Sequence, residues 1–277
     1  MSLLSPGTPV PSGGAGEPPR APLRFDVITL FPAMFDAIAQ SGITARALQR
    51  GLWQMALWNP RDHARDAYRS VDDRPYGGGQ GMVMLPEPLA DTLAAIAREH
   101  PGGRPRVIHL SPRGAPLDQR RIEALAELPA LTLLASRYEA VDQRLLDRHV
   151  DEEIAVGEFI VSGGELPAMM LIDALVRRLP GALNDSRSAL DESFAGGLLE
   201  GPQYTRPERF EGQAVPAVLL SGHHERISRW RREQALLATV RRRPDLLARA
   251  RAEGRLDAAD ERFLAALARE TERPETG

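Results

Sequence analysis

The sequence predicts an α/β domain built on a parallel sheet, followed by a small all-helical C-terminal domain. Two patterns and one count predict it. From Phe25 onward, short apolar runs alternate with segments of helical period, which is how strands and crossover helices read. From about Tyr204 only the helical period remains. The 277 residues, 43% hydrophobic and 26% charged, suffice for one large packed domain or two modest ones.

Residues 1–23 are rich in Pro, Gly and Ser, so a disordered tail is expected there. Prolines interrupt any apolar stretch in it and Arg20 lies late, unlike a secretory signal. Strands are expected at 25–31 (FDVITLF), 53–58 (WQMALW), 106–111 (RVIHLS), 130–135 (ALTLLA) and 153–161 (EIAVGEFIV). Helices are expected over 32–50, closed by Gly51, and over 86–100, stopped by Pro101-Gly102. Two more are expected over 118–128 and 166–179, the second with Pro167 at its first position. This domain spans 24–182; residues 183–192 read as a linker, and residues 193–277 as a domain with helices over 225–241, 244–253 and 258–269. The longest apolar run, 166–176, is too short for a bilayer and contains Asp173. No membrane partner and a cytoplasmic location are expected.

Two absences narrow the chemistry. There is no cysteine, which excludes disulfides, thiolate metal sites and cysteine nucleophiles. All 35 basic residues are arginine, so a phosphate-loop lysine, a Schiff-base lysine and a lysine base are excluded together. Any phosphate must be held by arginine forks or backbone N–H groups. The net charge of −3 announces no polyanionic partner by itself.

Three loops follow expected strands: Leu110-Ser111-Pro112-Arg113-Gly114, Ser136-Arg137-Tyr138-Glu139, and the run from Val156 through Gly163-Gly164 to Pro167. Beyond the carboxyl ends of an open parallel sheet, such loops can converge on one pocket. The paired glycines suit either a tight strand–helix turn or a ligand held by main-chain groups. A fourth glycine-rich segment, 73–82 (DRPYGGGQGM), lacks the preceding strand and following helix that a dinucleotide loop needs. It reads as a substrate-facing loop or a flexible turn.

The strings VDDRPYGGGQGMV, LSPRG, SRYEAVDQR, VGEFIVSGGELPAM, LIDALVR, ESFAGGLLEGPQYTRPE and VPAVLLSGHHERISRWR occur in this order. Together they resemble the bacterial tRNA (guanine(37)-N1)-methyltransferases, the TrmD family of the trefoil-knot (SPOUT) class, over about 25–247. The resemblance implies a deep trefoil knot in the α/β domain, bent S-adenosylmethionine inside it, and a homodimer with the active site at the subunit interface. It implies methyl transfer to N1 of the guanosine immediately 3′ of the tRNA anticodon.

Carried over residue by residue, the implied cofactor positions are Leu110, Ser111, Pro112, Ser136, Tyr138, Glu139, Val156, Gly157, Glu158, Phe159, Ile160, Val161, Gly163, Gly164 and Pro167. The family usually has glycine where this chain has Ser136 and Ala140. Glu139 is the implied magnesium ligand. N1 of guanine is protonated at neutral pH, so transfer requires a general base and a cation or donor at O6. The family's base is an aspartate just before Ser-Phe; that position here is Glu192, preceded by Asp191, and either carboxylate can serve. Without the resemblance, the acidic pair reads as a favourable charge at a helix N-terminus. Arg177 is the implied partner of O6, although an arginine late in a helix also stabilises the helix dipole.

Residues 221–243 hold seven Arg against two Glu, a local excess of five positive charges. Arg226, Arg229 and Arg232 recur at helical spacing and are expected to contact the tRNA backbone, or else to form a solvated face laced to acids. Trp230 reads as a buried anchor or a cover for a base. The competing reading is a non-catalytic RNA-binding protein on the same scaffold.

Overall fold

The structure, a computed structural model, describes residues 2–4, 21–183, 193–194 and 196–271. The chain divides into two compact units, Met1–Asn184 and Asp185–Gly277.

The first unit is organised by a six-stranded sheet of order β1-β3-β2-β7-β6-β9. The five strands β2 (Leu23–Ile28), β3 (Trp53–Trp58), β6 (Arg106–Pro116), β7 (Ala130–Leu134) and β9 (Glu152–Ala155) are mutually parallel. Each overlaps one of the five expected apolar runs, with β6 running on to Pro116 and β9 ending early. The edge strand β1 (Ser2–Leu4) pairs antiparallel with β3, so this part of the expected disordered tail is tied to the sheet. It occupies the otherwise open edge of β3.

Strand β2 stops before residue 31 because the Thr29 hydroxyl accepts the Phe31 N–H (2.9 Å) and Pro32 opens a 3-10 turn. The expected helix over 32–50 is broken into α1 (Asp36–Gln40) and α2 (Gly42–Gln49). Ser41 between them is extended, and the Thr44 hydroxyl donates to the Ile38 carbonyl (2.6 Å). The other crossovers are α3 (Pro86–Arg98), α4 (Gln119–Ala126), α5 (Gln143–His149) and α6 (Glu165–Val176). A small second sheet joins β4 (Asp72–Asp73), β5 (Val83–Met84) and β8 (Ala140–Val141). Strands of two residues leave no readable alternation, so neither this sheet nor the short α5 is visible in the sequence.

Both sheet faces are buried, as a parallel sheet requires. Phe25, Val27, Leu131 and Leu133 face one core with Leu125, Leu171 and Leu175. Ile28, Trp58 and Leu134 face the other, with Leu89, Ile96 and Leu145. On this second face Asp26 is fully buried. Its carboxylate accepts from Trp58 Nε1 (2.9 Å) and from Arg24 Nη2 (2.9 Å), and pairs with His100 Nε2 (2.7 Å).

The second unit carries α7 (Ala217–Leu220), α8 (His224–Arg242), α9 (Pro244–Ala252) and α10 (Ala258–Thr271). Leu198, Leu236, Ala250 and Leu264 form its core. It is not all-helical: β10 (Arg209–Phe210) and β11 (Gln213–Ala214) form a hairpin. Its two turn residues, Glu211 and Gly212, both have positive φ (48° and 80°), the conformation that matches strand twist in a two-residue hairpin. Among the described residues, no helix is long and apolar enough to cross a membrane.

Asp26→Ala leaves the indole, imidazole and guanidinium donors without their shared acceptor inside the core. A loss of about 3–5 kcal/mol is expected in urea unfolding, the scale of a broken buried ion pair.

Candidate active site

The irregular part of β6 and the loops after β7 and β9 meet at one side of the sheet. β6 pairs with β9 at Leu110–Ile154 and again at Ala115–Ile154, so residues 111–114 leave the ladder and project outward. β9 ends at Ala155 rather than continuing to 161, and residues 156–164 turn back as a loop. That loop is closed by the Gly164 N–H, which donates to the Ser136 carbonyl (2.8 Å). A Cβ at Gly164 would lie 2.7 Å from Ala135 Cα and 2.9 Å from the Ser136 nitrogen, so only glycine allows this approach. The tight-turn and backbone-cradle readings of the glycine pair describe the same geometry.

A buried carboxylate locks the closure. Glu165, fully buried at the first turn of α6, accepts from Arg137 Nε (2.7 Å) and the Thr29 hydroxyl (3.0 Å). Arg137 also donates to the Ser162 carbonyl (3.1 Å), and its guanidinium lies 4.4 Å over the Phe31 ring. Three loop segments are thereby joined through one arginine.

The resulting cleft has a volume of about 430 Å³, within the range of small-molecule and cofactor sites. Leu110, Ser111, Pro112, Ser136, Tyr138, Glu139, Val156, Gly157, Phe159, Ile160, Val161, Gly163, Gly164 and Pro167 all line it. Glu158 does not; it is exposed. Tyr138 adopts φ 65°, a strained conformation for a bulky residue, at the rim of the cleft. Burial pushes its phenol upward, and its hydrogen bond to Asp72 acts in the same direction.

His109 and Glu153 also line the cleft and were not singled out from the sequence. His109 Nδ1 is 2.9 Å from Glu153 Oε1, and Nε2 is 2.9 Å from Ser136 Oγ. Burial lowers the His109 pKa below the ordinary value of 6.5, outweighing the opposing hydrogen bond to Glu153. The available signal was a histidine one position before the Leu110 loop, inside an otherwise apolar run.

For the magnesium implied by the resemblance, the described residues offer the carboxylate of Glu139 at this cleft edge. Among the described residues, no three His, Asp or Glu side chains stand together as a metal group, and the Glu139 side chain packs against Gly81. Asp191 and Glu192 lie outside the described residues. Arg177, half-buried, caps the far end of α6 and does not line the cleft. It stands thirteen residues beyond Gly164, about 20 Å along the helix. Its neighbour Arg178 pairs with Glu123 (3.4 Å).

In the second unit Arg226 is exposed, but Arg229 and Arg232 have a structural task. Both fork onto buried Asp260: Arg229 Nη1 at 3.1 Å and Arg232 Nη2 at 2.8 Å. Arg229 also reaches the Ala259 carbonyl and Arg232 the Arg255 carbonyl. Burial acts to raise the Asp260 pKa, yet the Arg232 hydrogen bond and the other polar partners hold it below its ordinary range. Tyr204 and Trp230, with ring centroids 6.2 Å apart, line a separate concavity with Arg206 and Arg231.

The model of the family described as tRNA (Guanine-1)-methyltransferase TrmD matches residues 23–249. A tRNA (guanine-N(1)-)-methyltransferase of Ralstonia nicotianae is 57% identical over 246 residues, 89% of this chain and 94% of that protein. Its counterpart in Cupriavidus metallidurans is 57% identical over 249 residues, covering 89% and 96% of the two chains. That of Burkholderia mallei is 56% identical over 257 residues, covering 92% and 97%.

Asp260→Ala is expected to destabilise the second unit by about 2–3 kcal/mol, a buried-pair loss discounted because both arginines are partly solvated. The native Asp260 pKa is depressed, so its contribution is present at neutral pH and disappears as pH falls through the carboxylate range. Urea unfolding at pH 7 and pH 3 reads both effects; the difference between wild type and variant should narrow at the lower pH. Match and identity cover most of the chain, and the chain belongs to the TrmD family of tRNA (guanine-N1)-methyltransferases.

Proposed function

We propose that the protein transfers a methyl group from S-adenosylmethionine to N1 of the guanosine immediately 3′ of the tRNA anticodon, in the cytoplasm. The observation that carries this reading is the glycine-closed cleft, whose lining matches the implied cofactor positions. Its apolar wall of Leu110, Val156, Ile160 and Pro167 suits a nucleoside, and the loop backbones offer polar groups to its edges. A Cβ at Gly164 would intrude on the backbone that forms this cradle, so the residues present fit the cofactor.

When bound, S-adenosylmethionine supplies an electrophilic methyl group. The chain must then make N1 of guanine nucleophilic. Glu192, or Asp191 in its place, takes the N1 proton as general base. Arg177 orients the base and offsets the negative charge that develops at O6.

Because Arg177 stands about 20 Å along α6 from the glycine turn, one protomer does not bring it to its own cleft. This supports a homodimer with the active site at the interface. Leu166 and Met170, four residues apart on α6, are exposed (48% and 53%) and form an apolar ridge suited to a second copy. In the knotted path that the resemblance implies, the chain returns from β9, at the sheet edge, to the loop after β7, where Gly164 bonds Ser136. Residues 24–182 are the cofactor domain, 183–192 the linker and 193–277 the tRNA-binding domain, with exposed Arg226, Arg231, Arg241 and Arg242 as backbone contacts.

Labelled S-adenosylmethionine and paired tRNA transcripts differing only at that guanosine test the activity, with mass spectrometry to map the product. Methylation at N1 of that base alone is expected; cofactor and tRNA binding without transfer would support the non-catalytic alternative. Arg177→Ala should lower kcat at least about a hundredfold with cofactor affinity retained, the size of a lost charge-stabilising donor. Leu166→Glu with Met170→Glu should yield monomers in sedimentation and abolish transfer; an active monomer would contradict the shared site.

A further inference from the structure

Three side chains from three successive sheet neighbours form a continuous polar line on the wall of the cleft. His109 on β6 is the register partner of Glu153 on β9, and its other ring nitrogen faces Ser136, which follows β7. Both contacts are 2.9 Å.

The line has a fixed polarity. Burial keeps His109 neutral at neutral pH, so its ring carries one proton. An ionised Glu153 can only accept, which places that proton on Nδ1. Nε2 is then a bare lone pair, and the Ser136 hydroxyl must donate to it. The oxygen of Ser136 is left with its acceptor capacity directed to the cleft.

We propose that His109 is a positioning residue that fixes Ser136 as a hydrogen-bond acceptor for a donor group, N–H or O–H, of the bound cofactor. The inference rests on reading the cleft as the S-adenosylmethionine site. It makes a prediction that a merely structural His–Ser contact does not. When His109 gains a proton, Nε2–H becomes the donor, the Ser136 oxygen accepts it, and the hydroxyl proton is released toward the cleft. A ligand donor then meets a donor. Two charged groups act on His109: Glu153 from β9 favours protonation, and Arg113 on the projecting part of β6, 4.0 Å from Glu153, opposes it. Affinity must therefore fall as pH drops below the ordinary histidine range, and the fall must require Ser136.

The test is calorimetric binding of S-adenosylmethionine and S-adenosylhomocysteine between pH 5 and 8 by wild type, Ser136→Ala and His109→Gln. Wild type is expected to lose about fivefold in affinity on acidification, the worth of one hydrogen bond. Ser136→Ala should be about fivefold weaker at pH 7.5 and flat with pH. His109→Gln, which keeps an acceptor and a donor but does not titrate, should bind without the acid step, whatever its affinity at pH 7.5. An Ser136→Ala protein that binds as wild type, or keeps the acid step, overturns the inference. Wild type that binds neither ligand at pH 7.5 would strike the cofactor reading instead. Long-range proton–nitrogen spectra of the ligand-free protein separate the two cases: an Nε2–H tautomer of neutral His109 overturns the inference independently of any ligand.

Discussion

The cleft depends on a single closure, the Gly164 N–H held on the Ser136 carbonyl and clamped from beneath by the buried Glu165–Arg137 pair. A carboxylate taken fully out of water is tolerable only when its oxygens are satisfied, and here Arg137 and Thr29 each take one. Arg137 then reaches Ser162 and Phe31, so the loops after β2, β7 and β9 cannot move independently. Breaking the pair would leave an uncompensated charge in the core. The interaction therefore specifies the arrangement of the loops as much as it stabilises the fold.

The absence of lysine gives this construction a common style. Arginine guanidiniums join separate elements at Glu165 and Asp260, each carboxylate buried and each shared by more than one donor. A compact ammonium could not span two acceptors with the same geometry. Composition, packing and site architecture are linked here: a chain with one kind of cation uses it for internal joints and for the exposed basic face of α8. Sequence spacing alone does not separate those uses. Arg226 and Arg229 share a helix and a local charge excess, and only the contact with buried Asp260 gives Arg229 a structural role.

Most of the sheet was legible because its five parallel strands are buried on both faces and therefore read as apolar runs. Most of the cleft was legible because loops after such strands carry motifs whose order resembles a family. The break near Ser41 was hidden by apolar spacing that continues across it, and the hairpin at 209–214 is too short to alternate. His109 was hidden differently: its function depends on Glu153 and Ser136, remote in sequence and adjacent only across the sheet. The distance of Arg177 from the cleft is likewise a consequence of helix length, and it turns a residue that a motif groups with the site into an argument for a second subunit.

The claim that organises this account is that the loops closed on Ser136 and Gly164 form the methyl-donor site. A crystal structure with S-adenosylhomocysteine tests it most directly. The ligand is expected in this cleft, against the segments 110–112, 136–139 and 156–164, with a partner subunit's Arg177 approaching it. Ligand bound elsewhere, or in this cleft with the protein monomeric and Arg177 remote, would contradict the account.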